Sequence, residues 1–270
     1  MTPMPFLERY QITKRYLDVP SRRRSTQPMP HGVKFVVCHD TGNPNSTAAN
    51  NVKFYNNTPN ANPTASAHLF VDHKEIIECI PALTGSPEKA WHVLYDRPND
   101  NLFFGYDAND AAIGIEYCYG TSIDADEAYR KYLWVIAYAC SKFGLDPRTR
   151  ITGHTFLDPP PRKTDPVSGL AFSRRTYDQL LRDIVTEYEE CTGQPLEKLP
   201  EVTGEVRVTM KVNVRKGEPR QRAPLHQVVG VGTILKSVSS VDTGDPINGN
   251  PVWCKDEAGN YFWSGAVVKV

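Results

Sequence analysis

The chain has 270 residues, of which 40% are hydrophobic and 23% charged, ordinary proportions for a soluble globular protein and a length beyond one typical domain. Lys and Arg together number 31, as do Asp and Glu, so no net charge draws the chain to nucleic acid or to an anionic membrane surface. No run of 18 apolar residues is present, which excludes membrane insertion by a helix, and Met1–Arg9 lacks the apolar stretch of a secretory signal, so synthesis as a cytoplasmic chain is expected.

Residues 1–32 read as an irregular, basic, proline-bearing arm whose sharpest cluster is Ser21-Arg22-Arg23-Arg24-Ser25, a contact for an anionic polymer or a solvated segment draped over the domain. Val33–Cys38 is a β-type run ending at His39, and Ser46 can cap a short helix through Tyr55. Ala67–Asp72 and Glu75–Ile80 flank the turn His73-Lys74 as a hairpin, residues 81–110 are loop-rich, and Ala112–Tyr117 is a further buried strand. Two amphipathic helices follow. Tyr129, Tyr132, Leu133, Ile136, Ala139, Cys140 and Phe143 form the stripe of the first, with Asp124 and Glu127 as a capping box and Gly144 as its stop; Tyr177, Leu180, Leu181, Ile184, Val185 and Tyr188 form that of the second, with Ser173 as N-cap. Residues 191–204 read as a linker, and short β runs separated by Gly, Pro, Asn and Asp fill 205–270, the pattern of a small all-β barrel or sandwich. The expectation is a mixed α/β domain over 1–190, a central sheet flanked by helices, followed by a small β domain.

Six cysteines, at 38, 79, 118, 140, 191 and 254, form no CxxC pair, and most lie in apolar runs, so they read as buried thiols of a reducing compartment. The chemistry-bearing stretch is Gly153-His154-Thr155-Phe156-Leu157-Asp158-Pro159-Pro160-Pro161-Arg162-Lys163-Thr164-Asp165-Pro166. Three consecutive prolines exclude helix there and stiffen a loop with a histidine at one end, an aspartate at the other and a lysine between. A zinc hydrolase needs three protein ligands and an open position for water. His39, His154 and Asp165 meet that count if two strand ends of one sheet bring the imidazoles together. Glu116, at the end of an apolar strand, is placed to move a proton, and Lys163 to hold a developing oxyanion. His68 and His92 are competing histidines that read as cleft-lining or structural.

In order, Cys38-His39-Asp40-Thr41-Gly42, Ser66–Asp72, Ala90-Trp91-His92, Ile113–Glu116, and Gly153-His154 through Lys163-Thr164-Asp165-Pro166 resemble the motifs of the zinc-dependent type 2 N-acetylmuramoyl-L-alanine amidases, over roughly residues 30–190. The resemblance implies one zinc ion on His39, His154 and Asp165, catalysis by Glu116 and Lys163, and hydrolysis by activated water of the amide between N-acetylmuramic acid and the L-alanine of the stem peptide. It makes His68, Trp91 and His92 candidate groove residues and peptidoglycan the partner of a monomeric enzyme. Such an enzyme would be an endolysin or autolysin reaching the wall by holin-type release, lysis or dedicated secretion. The alternatives are a non-catalytic peptidoglycan-recognition protein, against which the retained Asp165 argues, and a cytoplasmic recycling amidase for anhydro-muropeptides. Residues 205–270 resemble a bacterial SH3-like domain through Met210–Gly217, Val252–Lys255 and Gly259–Ser264; this implies wall binding, with Trp253, Tyr261 and Trp263 as candidate contacts.

Overall fold

The computed structural model describes residues 5–270 apart from 63, 96, 159–161, 198, 246 and 248–249. The triple proline of the sequence reading therefore lies outside the described residues, as do the first residues of the arm and one of the linker. The chain divides into two compact units, Met1–Pro195 and Leu196–Val270.

The first unit runs β1 (Ile12–Lys14), β2 (Phe35–Asp40), α1 (Ala48–Asn57), β3 (Leu69–Val71), β4 (Ile76–Glu78), α2 (Pro98–Phe104), α3 (Ala108–Ala111), β5 (Ala112–Tyr117), α4 (Ala125–Phe143), β6 (Ile151–Gly153), α5 (His154–Leu157), α6 (Val167–Phe172) and α7 (Tyr177–Thr192). One six-stranded sheet has the order β1-β4-β3-β5-β2-β6, with the β3–β4 hairpin antiparallel and every other pairing parallel. The strand β2 is buried over its whole length, as a central parallel strand must be. Alternate residues serve opposite faces. Val36, Cys38, Ile113, Ile115 and Tyr117 pack with Tyr132, Ile136, Cys140, Leu180 and Ile184 of α4 and α7. Phe35, Val37 and Ala112 pack with Phe103, Phe104, Ala108 and Leu157 on the other side, where Phe35 stacks on Phe104 with ring centroids 4.1 Å apart. Each such fully buried large side chain contributes about 1.5–3 kcal/mol.

Several local expectations are revised. The arm is not wholly irregular: it supplies β1, which extends the sheet beyond β4. The segment 81–110 is not all loop, because α2 and α3 form within it, the first with Pro98 at its start and the second capped by Asp107. The cap of α1 is Thr47, not Ser46, whose hydroxyl bonds Asn51 instead. The cap of α7 is Thr176, and Ser173 closes α6. Asp124 caps α4 and left-handed Gly144 stops it, but the Glu127 carboxylate pairs with Arg130 and Lys131, so no reciprocal capping box forms. Asp126 side-chain pairing with Arg175 ties α4 to the start of α7. All six cysteines are buried free thiols.

The basic cluster is largely structural. Arg23 is 5% exposed. Its Nε donates to the Thr58 carbonyl at 2.8 Å, its Nη1 donates to the Ala65 carbonyl, and its guanidinium lies 4.5 Å from the Tyr55 ring centroid. Arg24 pairs with Glu88 at 2.8 Å and also donates to the Leu17 carbonyl.

In the second unit β7 (Gly204–Val208), β8 (Val212–Lys216), β9 (Leu225–Val229), β10 (Ile234–Ser237), β11 (Ser239–Val241), β12 (Trp253–Lys255), β13 (Asn260–Trp263) and β14 (Val267–Lys269) form two antiparallel sheets, β10-β7-β14 and β11-β12-β13-β8-β9. Val206, Val208, Val214, Phe262, Trp253 and Trp263 share one core. This corrects two candidate wall contacts. Trp253 and Trp263 are 2% and 9% exposed, and their indole N–H groups donate to the Asp245 and Asn250 carbonyls at 2.9 Å. Burial of the ring with a satisfied N–H is what a core tryptophan requires. Tyr261 is partly exposed, with the Lys255 ammonium 5.6 Å from its ring centroid.

Arg23 makes a clear test of the arm's role. Replacing it with methionine removes the charge-assisted bonds that a buried guanidinium makes to two backbone carbonyls, so Arg23→Met should lower the unfolding free energy by about 2–4 kcal/mol in urea titrations. A loss below about 0.5 kcal/mol, typical of a surface position, would show that the arm does not anchor the unit.

Candidate active site

Strand register assembles the site. In the β2–β5 pairing His39 stands opposite Glu116, and in the β2–β6 pairing Cys38 stands opposite Gly153, so His154 emerges beside His39 as β6 gives way to α5. His39 follows Phe35 and Val37 in the two-residue alternation, and Glu116 follows Ala112 and Gly114. Both therefore belong to the face opposite α4. Asp165 reaches them because Thr155 clamps its loop: the Thr155 N–H donates to the Asp165 carbonyl at 2.8 Å and the hydroxyl donates to the Lys163 carbonyl at 2.9 Å. Asp40 holds the far side, accepting from Gly42 N–H at 3.0 Å and from Gly169 N–H at 2.7 Å.

Three ligand-type atoms converge. Asp165 Oδ2 lies 2.9 Å from His39 Nδ1 and 3.1 Å from His154 Nδ1, and the two Nδ1 atoms are 3.1 Å apart. All three residues are buried. Burial works against charge on Asp165, but its contacts with His154 and His39 outweigh that and hold the carboxyl well below its usual range. Burial pushes His39 down to about 4, so its imidazole is neutral at physiological pH.

The tautomer of His39 follows from its neighbours. His92 Nε2 faces the Ala112 carbonyl at 3.2 Å, which can only accept, so Nε2 carries the proton. Burial, followed by the neighbouring histidines, pushes His92 well below its ordinary value, so its ring is neutral and Nδ1 is an acceptor. That Nδ1 lies 3.1 Å from His39 Nε2, which must therefore donate. The lone pair of His39 is left on Nδ1, aimed at the carboxylate. A bare nitrogen and an anionic oxygen at 2.9 Å repel unless a cation or a proton lies between them, and a neutral imidazole oriented by an outer hydrogen bond is the usual form of a metal ligand. His154 adds a second sign: its buried Nε2 has no partner among the described residues, while its Nδ1 turns into the cluster. Two imidazoles and a carboxylate are a donor set suited to zinc. Gly114 is needed here for space, since a Cβ would come within 2.7 Å of the His92 ring.

Glu116 is half-buried, and its Oε2 has no partner among the described residues. Burial, then the negative charges of Asp165 and Asp40, push its carboxyl well above the ordinary value, while Lys163 pulls the other way. The Lys163 Nζ is 4.0 Å from Asp165 Oδ1. These residues line a cavity of about 310 Å³ with the three-atom cluster, Tyr55, Trp91 and His92. An adjoining cavity of about 570 Å³ shares Trp91, His92, His154 and Lys163 and is walled by Val93, Leu94 and Tyr95.

Of the residues singled out on the sequence, His39, His154, Asp165, Glu116, Lys163, Trp91 and His92 meet around these cavities. His68 does not: it is fully buried, its Nδ1 accepts from Gly114 N–H at 3.0 Å and its Nε2 donates to the Glu88 carbonyl at 2.9 Å. Both its nitrogens are spent on the backbone beneath the floor. The orienting role of His92, the Asp40 latch and the placement of Tyr55 were not read from the sequence. The Ala90-Trp91-His92 motif marked His92 as notable, but only the fold puts its ring against His39.

Residues 27–168 match the family model of N-acetylmuramoyl-L-alanine amidase. The chain is 35% identical over 133 residues to N-acetylmuramoyl-L-alanine amidase BlyA of Bacillus subtilis (strain 168), covering 46% of this chain and 34% of that protein. It is 31% identical over 170 residues to a probable N-acetylmuramoyl-L-alanine amidase of Bacillus licheniformis, covering 60% and 46%. The chain thus spans less than half the length of these curated relatives. Among solved structures it resembles the catalytic domain of XlyA, with a TM-score of 0.51 and 23% identity over 64% of this chain and 99% of that one. It also resembles the Staphylococcus aureus hydrolase AmiA, with a TM-score of 0.53 and 22% identity over 68% and 86%. Those two likenesses show a shared fold, and the family match covers more than half of the sequence: the chain belongs to the N-acetylmuramoyl-L-alanine amidase family.

Proposed function

We propose that the protein is a zinc-dependent peptidoglycan hydrolase that cuts the amide joining N-acetylmuramic acid to the L-alanine of the stem peptide. The observation that carries this reading is the convergence of His39 Nδ1, His154 Nδ1 and Asp165 Oδ2 at a cavity wall, with the unpartnered Glu116 carboxylate lining the same space.

His39, His154 and Asp165 would hold the metal. Zinc bound there supplies a Lewis acid that polarises a carbonyl and makes water acidic enough to attack near neutral pH. Glu116 takes the proton from the attacking water and returns it to the departing amine, a role suited to a carboxyl whose affinity for protons burial has raised. Lys163 donates to the former carbonyl oxygen as negative charge gathers on it. Trp91 and His92 wall the groove, and His92 also fixes the orientation of His39. Retention of Asp165 and Glu116 together supports an enzyme over a non-catalytic recognition protein.

For Leu196–Val270 we propose an SH3-like wall-binding module. Its small all-antiparallel build supports this, and of the three aromatic candidates Tyr261 is the one with an exposed edge. Tethering to the wall would raise the local substrate concentration without any added contact at the site.

Two outcomes are expected. Glu116→Gln should keep zinc and lose about 10²- to 10⁴-fold in kcat on purified peptidoglycan, scored as new amino-terminal alanine without new reducing sugar ends; full activity in that variant would remove Glu116 from the mechanism. His92→Leu should weaken zinc binding about 10- to 100-fold in competition with a coloured chelator, and His92→Gln, which can accept and donate at once, should lose less. Unchanged affinity in both would mean that His39 is oriented without His92.

A further inference from the structure

The basic cluster of the arm has one member that the fold does not use. Arg23 and Arg24 are committed to the scaffold. Arg22 between Ser21 and Arg23 is held by its backbone alone: its N–H donates to the Pro59 carbonyl at 2.9 Å, and its carbonyl accepts from the Trp91 indole N–H at 3.0 Å. Its exposed guanidinium has no hydrogen-bond or ion-pair partner among the described residues, yet it lines the larger cavity beside the site. Its backbone is fixed beside Trp91, and its guanidinium is left available to a ligand in the cavity.

The charges around that cavity are one-sided. Arg22, Arg162 and Lys163 line it, and among the described residues no carboxylate does. Arg162 is claimed by Asp158, and Lys163 stands near Asp165. Arg22 is the cation left over. Part of the remaining lining is apolar and aromatic, with Val93, Leu94 and Tyr95, a surface suited to methyl and methylene groups of a peptide.

We propose that Arg22 determines substrate specificity by binding a free carboxylate of the stem peptide, held in the larger cavity while the cut bond lies at the His39–His154–Asp165 cluster. This rests on the amidase reading above and extends it to a residue upstream of the family-matched segment, which begins at residue 27. A guanidinium prefers a carboxylate over a neutral amide because both oxygens accept and the charges attract. Two carboxylates of a stem peptide could serve: the α-carboxylate of the second residue, where it is not amidated, and the side-chain carboxylate of a diaminopimelate at the third.

The test uses the full chain loaded with zinc and four N-acetylmuramoyl tripeptides with amidated C-termini, the second-residue carboxylate being free or amidated and the third residue being diaminopimelate with its side-chain carboxylate free or amidated. Arg22→Gln should raise KM about tenfold on peptides with the recognised carboxylate, as loss of one charge-assisted hydrogen bond predicts, with the loss in KM rather than kcat. It should leave the penalty absent on the peptide lacking that group, and Arg22→Lys should recover part of the loss. The position at which amidation abolishes the difference between wild type and Arg22→Gln identifies the carboxylate. Equal KM for both proteins on all four peptides, or an equal loss on charged and amidated peptides, overturns the proposal. If the wild type cuts none of them, the amidase reading fails by itself, and calorimetric titration of the same peptides into both proteins still decides on Arg22 by the same tenfold difference.

Discussion

The parallel registration of β2 against β5 and β6 is the constraint on which the site depends. It fixes His39 opposite Glu116 and delivers His154 at the next strand end, three residues separated by up to 115 positions in sequence but adjacent across one sheet edge. A shift of one residue in β2 would turn His39 into the α4 core and put Cys38 in its place, because side chains alternate between faces. The register is protected by the same burial that costs so much to disturb: Val36 and Cys38 are locked against α4, and Phe35 and Val37 against α2 and α5. Core packing and site geometry are thus one set of contacts, and a stable register is a precondition of any chemistry here.

Around that edge, polar side chains do work that strands cannot. Thr155 folds the loop bearing Lys163 and Asp165 back on α5, and Asp40 joins the end of β2 to α6 through the Gly169 N–H. Glu78 accepts from the N–H groups of Ala82 and Thr84, and Asp72 from those of Ala48 and Lys74, so the loops around β3 and β4 are tied to fixed carboxylates. Glu116 Oε2 and His154 Nε2 are among the few buried side-chain atoms without a partner among the described residues, and such an atom is costly. Both belong to the residues that face the cavity. The free energy that a purely structural design would recover is left in the site.

Much of the α/β unit was legible in the sequence, and for specific reasons. Runs dominated by apolar residues, such as Val33–Cys38 and Ala112–Tyr117, read as buried strands, and the stripes of α4 and α7 have helical period and clear stops. The cluster of His39, His154 and Asp165 could be read as a count of chemically suitable residues, and the fold brings the three together. What could not be read depends on tertiary partners. Strand β1 has only three residues and forms because β4 offers it an edge; α2 and α3 are short and gain their stability from packing on Phe35 and Ala112. His68 and His92 are both histidines in apolar surroundings, and only geometry separates the one whose nitrogens are consumed by backbone from the one that turns toward His39. Trp253 and Trp263 illustrate the same limit in the second unit: a tryptophan near an exposed loop has the composition of a ligand contact, and its burial is decided by strands far along the chain.

The basic arm shows how one short motif can divide its labour. Three successive arginines have the same chemistry, yet the backbone path assigns them different fates. Arg23 is driven inward onto Tyr55 and the Thr58 and Ala65 carbonyls, and Arg24 is captured by Glu88. The backbone of Arg22 is held by the Pro59 carbonyl and the Trp91 indole, and its side chain reaches the cavity with no hydrogen-bond or ion-pair partner among the described residues. The burial of Arg23 beside Tyr55 also places an arm residue directly behind a ring that lines the smaller cavity. The arm therefore meets the site twice, through a ring it packs against and through a cation whose backbone it fixes at the cavity.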